Sequence, residues 1–232
     1  MERSSPHALQ AETSTVPWSP EWSVEGIIEV LEPLVIERRR QRILEVTQKR
    51  LASVTVLMDA PHDPHNGAAV LRTCDALGVQ HVHVVRRDDT FLIAGGVAKG
   101  SQRWVSLHVH TTPEQAVEAL ERSGFELIAT HPHGDLTPSD LGGVRRLALV
   151  LGNEHDGIGE ALTRAARRSV RIPMRGYVES LNVSVSAAIL LSSATAGRPG
   201  DLEPWEQRLH YAKGLFQSVN RGADVLQATE PR

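Results

Sequence analysis

Apolar residues in the middle of the chain follow two spacings, one typical of buried strands and one typical of helices. Short apolar, β-branched runs predict strands at 53–58, 81–85, 104–108, 125–130, 147–151 and 169–172. Helical spacing predicts helices between them, at 67–77, at 113–123, near residue 158 and after residue 182. Because strands alternate with helices, we expect an α/β domain with a mostly parallel sheet.

The two ends of the chain lack this alternation. Residues 1–23 are rich in Ser, Thr, Pro and Glu without periodicity, which predicts a flexible tail. Helical spacing at 24–50 predicts an arm, and the region 51–197 forms the main domain. Pro and Gly then interrupt the pattern, so we expect a C-terminal helix and tail at 198–232.

Side chains at two helix starts are placed to bond free backbone groups. Asn66 stands where the N-cap of the helix at 67–77 is expected, and Gly78 stands just past its end. Ser180 or Asn182 is expected to cap the helix that begins after residue 182. This second start is either a well-capped core helix or a site that favours a negatively charged or polar ligand group.

Composition describes a globular chain without a membrane-spanning segment. The 232 residues are 41% hydrophobic, and no apolar run approaches the roughly 20 residues that cross a bilayer. No signal peptide is recognisable, and Cys74 has no second cysteine with which to form a disulfide. We therefore expect a cytoplasmic protein with no membrane partner.

One segment is strongly basic although the formal net charge is −3. Residues 37–50 contain six basic side chains against Glu37 and Glu45. The basic residues are Arg38, Arg39, Arg40, Arg42, Lys49 and Arg50. This cluster is either a solvated helix face or a surface for phosphate groups, which a steep positive field attracts.

Histidines recur in pairs, and alternate residues of a strand lie on one face. No other ligands accompany them at metal-site spacing, so we interpret them as surface or strand-end residues and expect no metal. The pairs are His62 and His65, His81 and His83, His108 and His110, and His131 and His133. Neither a P-loop nor GxGxxG is present, which argues against a small-molecule enzyme on a nucleotide-binding sheet.

Three segments taken together resemble a known family. PHNGAAVLRTCDALGV, LVLGNEHDGI and IPMRGYVESLNVSVSAAILL are similar, in order and spacing, to the three motifs of the SpoU branch of the SPOUT RNA ribose 2′-O-methyltransferases. ERRRQRI and GGVAKGSQRWV extend the resemblance, which covers about residues 37 to 196. Within the branch the chain looks most like the TrmH group, which acts on tRNA guanosine-18 in the D-loop.

The resemblance implies a fold, a cofactor and a partner. The fold is a SPOUT α/β domain with a deep C-terminal trefoil knot, an exception to the rule that chains do not thread loops. It is flanked by N- and C-terminal helices and forms a homodimer. S-adenosylmethionine is expected in the knot. The residues that match its binding positions are Thr130, Gly152, Ile172, Met174 and Leu181.

The same matching implies an active site and an RNA surface. The catalytic positions fall on Asn66, Arg72, Glu154, Ser180 and Asn182. Arg72 is either the base that activates the ribose hydroxyl or, since arginine stays protonated, a cation that stabilises the forming alkoxide. The expected phosphate contacts, which position RNA without reading its sequence, are Arg38, Arg39, Arg40, Arg42, Arg50, Lys99 and Arg103.

Two departures from the family pattern leave alternatives open. SSATAGRPG replaces an arginine-rich segment and leaves only Arg198, and GNEHDG differs from the commoner GxEKxG. The alternatives to tRNA guanosine-18 methylation are methylation of ribosomal RNA or of another tRNA position, and a non-catalytic RNA-binding or chaperone protein.

Overall fold

A computed structural model describes residues 16–86, 103–153 and 155–229. Two compact units are distinguished by their contacts. The first is formed by Ala52–Arg198, and the second by Ser14–Leu51 together with Pro199–Arg232.

The first unit is built on a six-stranded parallel sheet, which confirms the predicted α/β class. The strands are β1 (Leu51–Asp59), β2 (Val79–Val85), β3 (Ser106–His110), β4 (Glu126–Thr130), β5 (Leu147–Leu151) and β6 (Arg168–Val170). Their order across the sheet is β3-β2-β1-β5-β4-β6. The order reverses between β1 and β5, and the carboxyl ends of strands beside such a reversal are where ligands bind in open α/β sheets.

Four α-helices and a 3₁₀ helix (Pro138–Gly143) belong to this unit, among the residues that the structure describes. The α-helices are α3 (Pro64–Ala76), α4 (Pro113–Arg122), α5 (Glu160–Ala165) and α6 (Val183–Thr195). The buried residues of α6, Ala187, Leu190, Leu191 and Ala194, recur at helical spacing. Gly78 has φ +80° just after α3, as its predicted place past the helix end requires.

The second unit is helical. It contains α1 (Val24–Leu31), α2 (Glu37–Gln48), α7 (Pro204–Ser218) and α8 (Gly222–Gln227). Ile27, Leu31 and Leu215 lie in one apolar cluster with Trp18 and Trp22. The two tryptophans belong to the segment expected to be a tail, yet their exposed fractions are 8% and 7%.

Four histidines of β2 and β3 are buried, so their interpretation as surface residues was wrong, and only His110 stands at a strand end. The ring nitrogens bond in pairs, with His81 Nδ1 3.1 Å from His108 Nε2 and His83 Nδ1 2.9 Å from His110 Nε2. The parallel register places His83 beside His108, and their rings stack. Burial, with the neighbouring histidines, lowers the pKa of His83 well below its usual value. His131 and His133 are exposed, as expected.

Two further expectations concern what the chain lacks and how it is threaded. Within the described ranges no helix is long and apolar enough to cross a membrane, and no cluster of three His, Cys, Asp or Glu residues is arranged for a metal ion. The trefoil knot stays a prediction.

Candidate functional site

A pocket opens beyond the carboxyl ends of β4, β5 and β6. Thr130, Gly152 and Ile172 contribute to its wall, and the segment leading into α6 contributes Met174 and Leu181. The structure therefore brings together all five residues that the resemblance matched to cofactor binding, although they lie far apart in sequence. Ser180 lines the same pocket, whereas Asn66, Arg72 and Asn182 are not among its lining residues.

The loop after β5 forms one wall of this pocket as a tight turn. The Asn153 N–H donates to Gly157 O at 3.0 Å. The Asn153 Oδ1 accepts from the N–H groups of His155 (3.0 Å) and Asp156 (2.7 Å). A Cβ at Gly152 would come within 2.7 Å of Ile158 N, so the turn requires glycine there.

Asn182 joins the starts of two helices. Its Oδ1 accepts from Ser184 N at 2.8 Å, which confirms it as the N-cap of α6. Its Nδ2 donates to Asn66 Oδ1 at 3.0 Å. The prediction that Asn66 caps α3 was wrong, because the helix begins three residues earlier than predicted, at Pro64, and Asp63 Oδ1 accepts from His65 N. Proline suits this first helical position, where no N–H is needed.

Arg72 lies on α3 with an exposed side chain. It forms no hydrogen bond or ion pair with the part of the chain that the structure describes. Its guanidinium is therefore accessible to an external oxygen or phosphate. Glu154 and Lys99, two other expected site residues, lie outside the described residues.

The basic residues of α2 differ in exposure and pairing. Arg38 and Arg42 are exposed, and Arg42 Nη1 lies 3.5 Å from Glu45. Arg40 pairs with Glu37, and Arg39 Nε donates to Ser218 Oγ at 2.9 Å. Arg50, just past the helix, is only 3% exposed. Arg103, in the first unit, is exposed.

Arg198 has a structural position. Its guanidinium donates to Arg145 O at 3.1 Å and Leu141 O at 3.3 Å, and Nε donates to Ala194 O at 2.7 Å. These bonds satisfy carbonyl groups at the end of α6 and in the segment that precedes β5. The arginine that remains where the family has several is therefore engaged within its own unit.

Sequence reasoning did not single out several residues of the pocket. His131 and Glu179 bring titratable side chains to it, and Ile158 and Val183 bring apolar ones. The glycines of GNEHDG were the available signal for the turn, since closely packed turns select glycine. The pocket offers apolar walls and loop backbone groups, an arrangement that suits a flat ring with polar edges.

Comparison with known proteins shows the family to which the chain belongs. Residues 53–192 match the SpoU rRNA Methylase family. The tRNA (guanosine(18)-2′-O)-methyltransferase of Thermus thermophilus is 38% identical over 163 residues, covering 70% of this chain and 84% of the relative.

Solved structures show the same similarity. The Aquifex aeolicus TrmH/SpoU tRNA modifying enzyme superposes with a TM-score of 0.67 at 28% identity, covering 80% of this chain and 98% of that one. The SpoU methyltransferase AviRb of Streptomyces viridochromogenes, in complex with AdoMet, has a TM-score of 0.55 at 28% identity, covering 65% and 60%.

Proposed function

The chain belongs to the SpoU methylase family, and from this premise we propose that it methylates the ribose 2′-OH of guanosine-18 in tRNA, using S-adenosylmethionine. The observation that carries the proposal is the convergence of Thr130, Gly152, Ile172, Met174 and Leu181 in one pocket. The Thermus relative is named for this reaction, and a related SpoU structure contains the cofactor. A tRNA substrate implies a cytoplasmic protein.

The pocket residues suit S-adenosylmethionine. Ile158, Ile172 and Leu181 provide apolar surface for an adenine ring. The crowded turn at Gly152 brings main-chain groups close to the space where the polar edges of the cofactor would lie. When bound, S-adenosylmethionine supplies an electrophilic methyl group. The chain must hold the ribose 2′-oxygen in line and accommodate the proton that this oxygen loses.

We propose that Asn66, Ser180 and Asn182 orient the ribose. Ser180 lines the pocket, and the Asn182–Asn66 hydrogen bond ties the start of α6 to the first turn of α3. Because Asn182 also caps α6, its amide has little rotational freedom. A fixed amide loses less conformational entropy when substrate binds. Glu154, next to Asn153, keeps its proposed place in the active site from the family match.

Arg72 is proposed as a catalytic cation. A guanidinium remains protonated at physiological pH, so it stabilises the developing negative charge on the 2′-oxygen more readily than it removes a proton. Its exposure and lack of a partner within the described residues leave it accessible to an RNA oxygen.

The exposed face of α2 is proposed to contact tRNA phosphates through Arg38, Arg39, Arg40 and Arg42. Arginine suits phosphate because its planar donors form bidentate hydrogen bonds. Lys99 and Arg103 keep their proposed place as further contacts. Arg50 is left out, because its 3% exposure keeps it from a surface-bound phosphate.

A second copy of the chain is the proposed partner of α6. Val185 and Ile189, one turn apart on this helix, are 45% and 36% exposed. In the preceding loop Tyr177 and Val178 are also exposed. Exposed apolar residues concentrated in one segment are typical of an interface. Light scattering should give a dimer mass, and Val185→Glu with Ile189→Glu should give a monomer. Val109→Glu, at a 37% exposed site on β3, is the control.

The function is tested by methyl transfer from labelled S-adenosylmethionine to an unmodified tRNA transcript. We expect the label at guanosine-18. Arg72→Ala should reduce this labelling at least about 100-fold if Arg72 stabilises the transition state. A transcript in which guanosine-18 carries a 2′-deoxyribose should accept no methyl group. Label at another nucleotide or only on ribosomal RNA would contradict the assigned position, and binding without transfer would favour the non-catalytic alternative.

A further inference from the structure

Asp59 is a buried carboxylate that is not among the proposed catalytic residues. It is the last residue of β1 and only 7% exposed. Its Oδ2 accepts a hydrogen bond from Gly159 N at 2.7 Å, across 100 residues of sequence. Burial of a carboxylate is unfavourable unless strong hydrogen bonds compensate, so this contact is energetically important to both segments.

Gly159 ends the loop that forms one wall of the pocket. The chain runs from Gly152 through the turn closed by Asn153 to Ile158, and the next N–H is the one held by Asp59. Asp59 itself is not among the residues that line the pocket. Asp59 therefore holds the wall from outside the pocket.

The space around this contact is tightly limited. A Cβ at Gly159 would lie 3.1 Å from Asp59 Oδ2. The residue after Asp59, Ala60, has φ +43°, a left-handed conformation that alanine rarely adopts, and its N–H donates to Val85 O at 3.0 Å. Strained backbone of this kind persists only where surrounding contacts impose it, and it concentrates near functional sites.

A second contact joins the same two loops. The rings of His62, in the β1–α3 loop, and His155, in the turn after β5, meet edge to face with centroids 4.7 Å apart. The β1–α3 loop leads directly to Asp63 and Asn66, whereas the turn leads to the pocket wall. The segment that precedes the first family motif thus contacts the second motif and the residue after it at two points.

We propose that Asp59 is a positioning residue, whose hydrogen bond to Gly159 holds the wall of the cofactor pocket in its binding geometry. The proposal rests on the proposed function, because it takes the pocket to be the S-adenosylmethionine site. Loss of the carboxylate frees the wall, and the cofactor must then order it on binding. The penalty falls on cofactor affinity and not on tRNA affinity.

The test is calorimetric binding of S-adenosylhomocysteine to the full chain, with KM measured for S-adenosylmethionine and for tRNA. Asp59→Ala should weaken S-adenosylhomocysteine binding about 10-fold or more, the usual scale for losing a charge-assisted hydrogen bond. KM for S-adenosylmethionine should rise in parallel while KM for tRNA changes less than about two-fold. Asp59→Asn, which retains an acceptor oxygen, should restore most of the affinity.

Asp140→Ala is the matched control. This exposed carboxylate also accepts a backbone N–H at 2.7 Å, from Thr137, and it is not among the residues that line the pocket. The control should leave S-adenosylhomocysteine binding unchanged, which separates an effect at the pocket wall from the loss of a carboxylate–backbone hydrogen bond elsewhere in the unit.

Gly159→Ala provides a second test if Asp59→Ala does not fold. Its φ of −62° suits alanine, so the added methyl group crowds the Asp59 contact without straining the backbone. Weaker S-adenosylhomocysteine binding in this variant supports the proposal. Unchanged binding in either folded variant overturns it, whereas absence of binding to the unaltered protein overturns the cofactor assignment itself.

Discussion

The two halves of the sheet use polar groups beside buried strands in opposite ways. Beyond β4, β5 and β6, the chain turns through glycine and small side chains, and an open pocket remains. On β2 and β3, four histidine side chains fill the space and bond one another. Polar groups that hydrogen-bond one another stabilise a core, whereas groups held apart by a rigid loop remain available to a ligand.

Adding a methyl group to the pocket wall at Gly152 should have the largest effect on cofactor affinity. Gly152→Ala adds a methyl group that overlaps the backbone of Gly157 and Ile158, so the turn must move. We expect S-adenosylhomocysteine affinity to fall more than about 100-fold, or about 2.7 kcal/mol, by calorimetry. Gly142→Ala, where no atom lies within 4 Å of the added carbon, is the control and should bind normally. Normal binding by Gly152→Ala would remove this wall from the site.

The next largest effect should be a loss of stability at acidic pH, caused by the buried histidines of β2 and β3. His83 has a lowered pKa in the folded chain, so below its unfolded pKa of about 6.5 the unfolded state binds a proton that the folded state does not. Stability is therefore lost as the pH falls from 6.5 toward the folded pKa, by up to about 1.4 kcal/mol per pH unit.

Urea unfolding at several pH values measures this loss. His83→Leu should be less stable at neutral pH, because the hydrogen bond between His83 and His110 is lost, but its stability should depend less on pH. His62→Ala, at an exposed histidine, should keep the full pH dependence. Equal dependence in all three proteins would show that His83 is not the responsible group.

Substitutions of Asn182 at the start of α6 should have smaller effects, and the effect on stability should be separable from the effect on activity. Asn182→Ala should lower the free energy of unfolding by about 1 kcal/mol, because the N-cap of α6 is lost. Asn182→Asp retains the capping oxygen but not the amide donor to Asn66. We expect it to restore stability while kcat remains reduced about 10-fold, measured by thermal unfolding and methyl transfer. Recovery of both properties would show that the Asn66 contact is dispensable.

The exposed arginines should have the smallest effect. Arg42→Ala should weaken tRNA binding by less than about 10-fold, since one phosphate contact is lost, and should lower the salt dependence of binding. S-adenosylhomocysteine affinity should not change. Arg164→Ala on α5, which loses a similar exposed ion pair to Glu160 at 3.8 Å, is the control. Equal effects from both variants would exclude a specific role for the α2 face.

Local signals predicted much of the fold. Apolar spacing identified the strands and most helices, although β3 lies at Ser106–His110 and not at 104–108. Asn182 was among the expected caps, and Gly78 marks the end of α3. Asn66 was misplaced because Asp63 also satisfies the capping pattern, and the proline at position 64 decides between them through its own preference for a helix start.

The sequence by itself determined the alternation of strands and helices, the family motifs and the residues expected at the cofactor site, because these depend on side-chain type and local spacing. Tertiary structure alone decided that His81 meets His108, that Arg50 is buried, and that Asp59 holds Gly159. The physical reason is the same in each case. Strand order and register decide which side chains that are distant in sequence come into contact. The local spacing of apolar residues contains no information about those contacts.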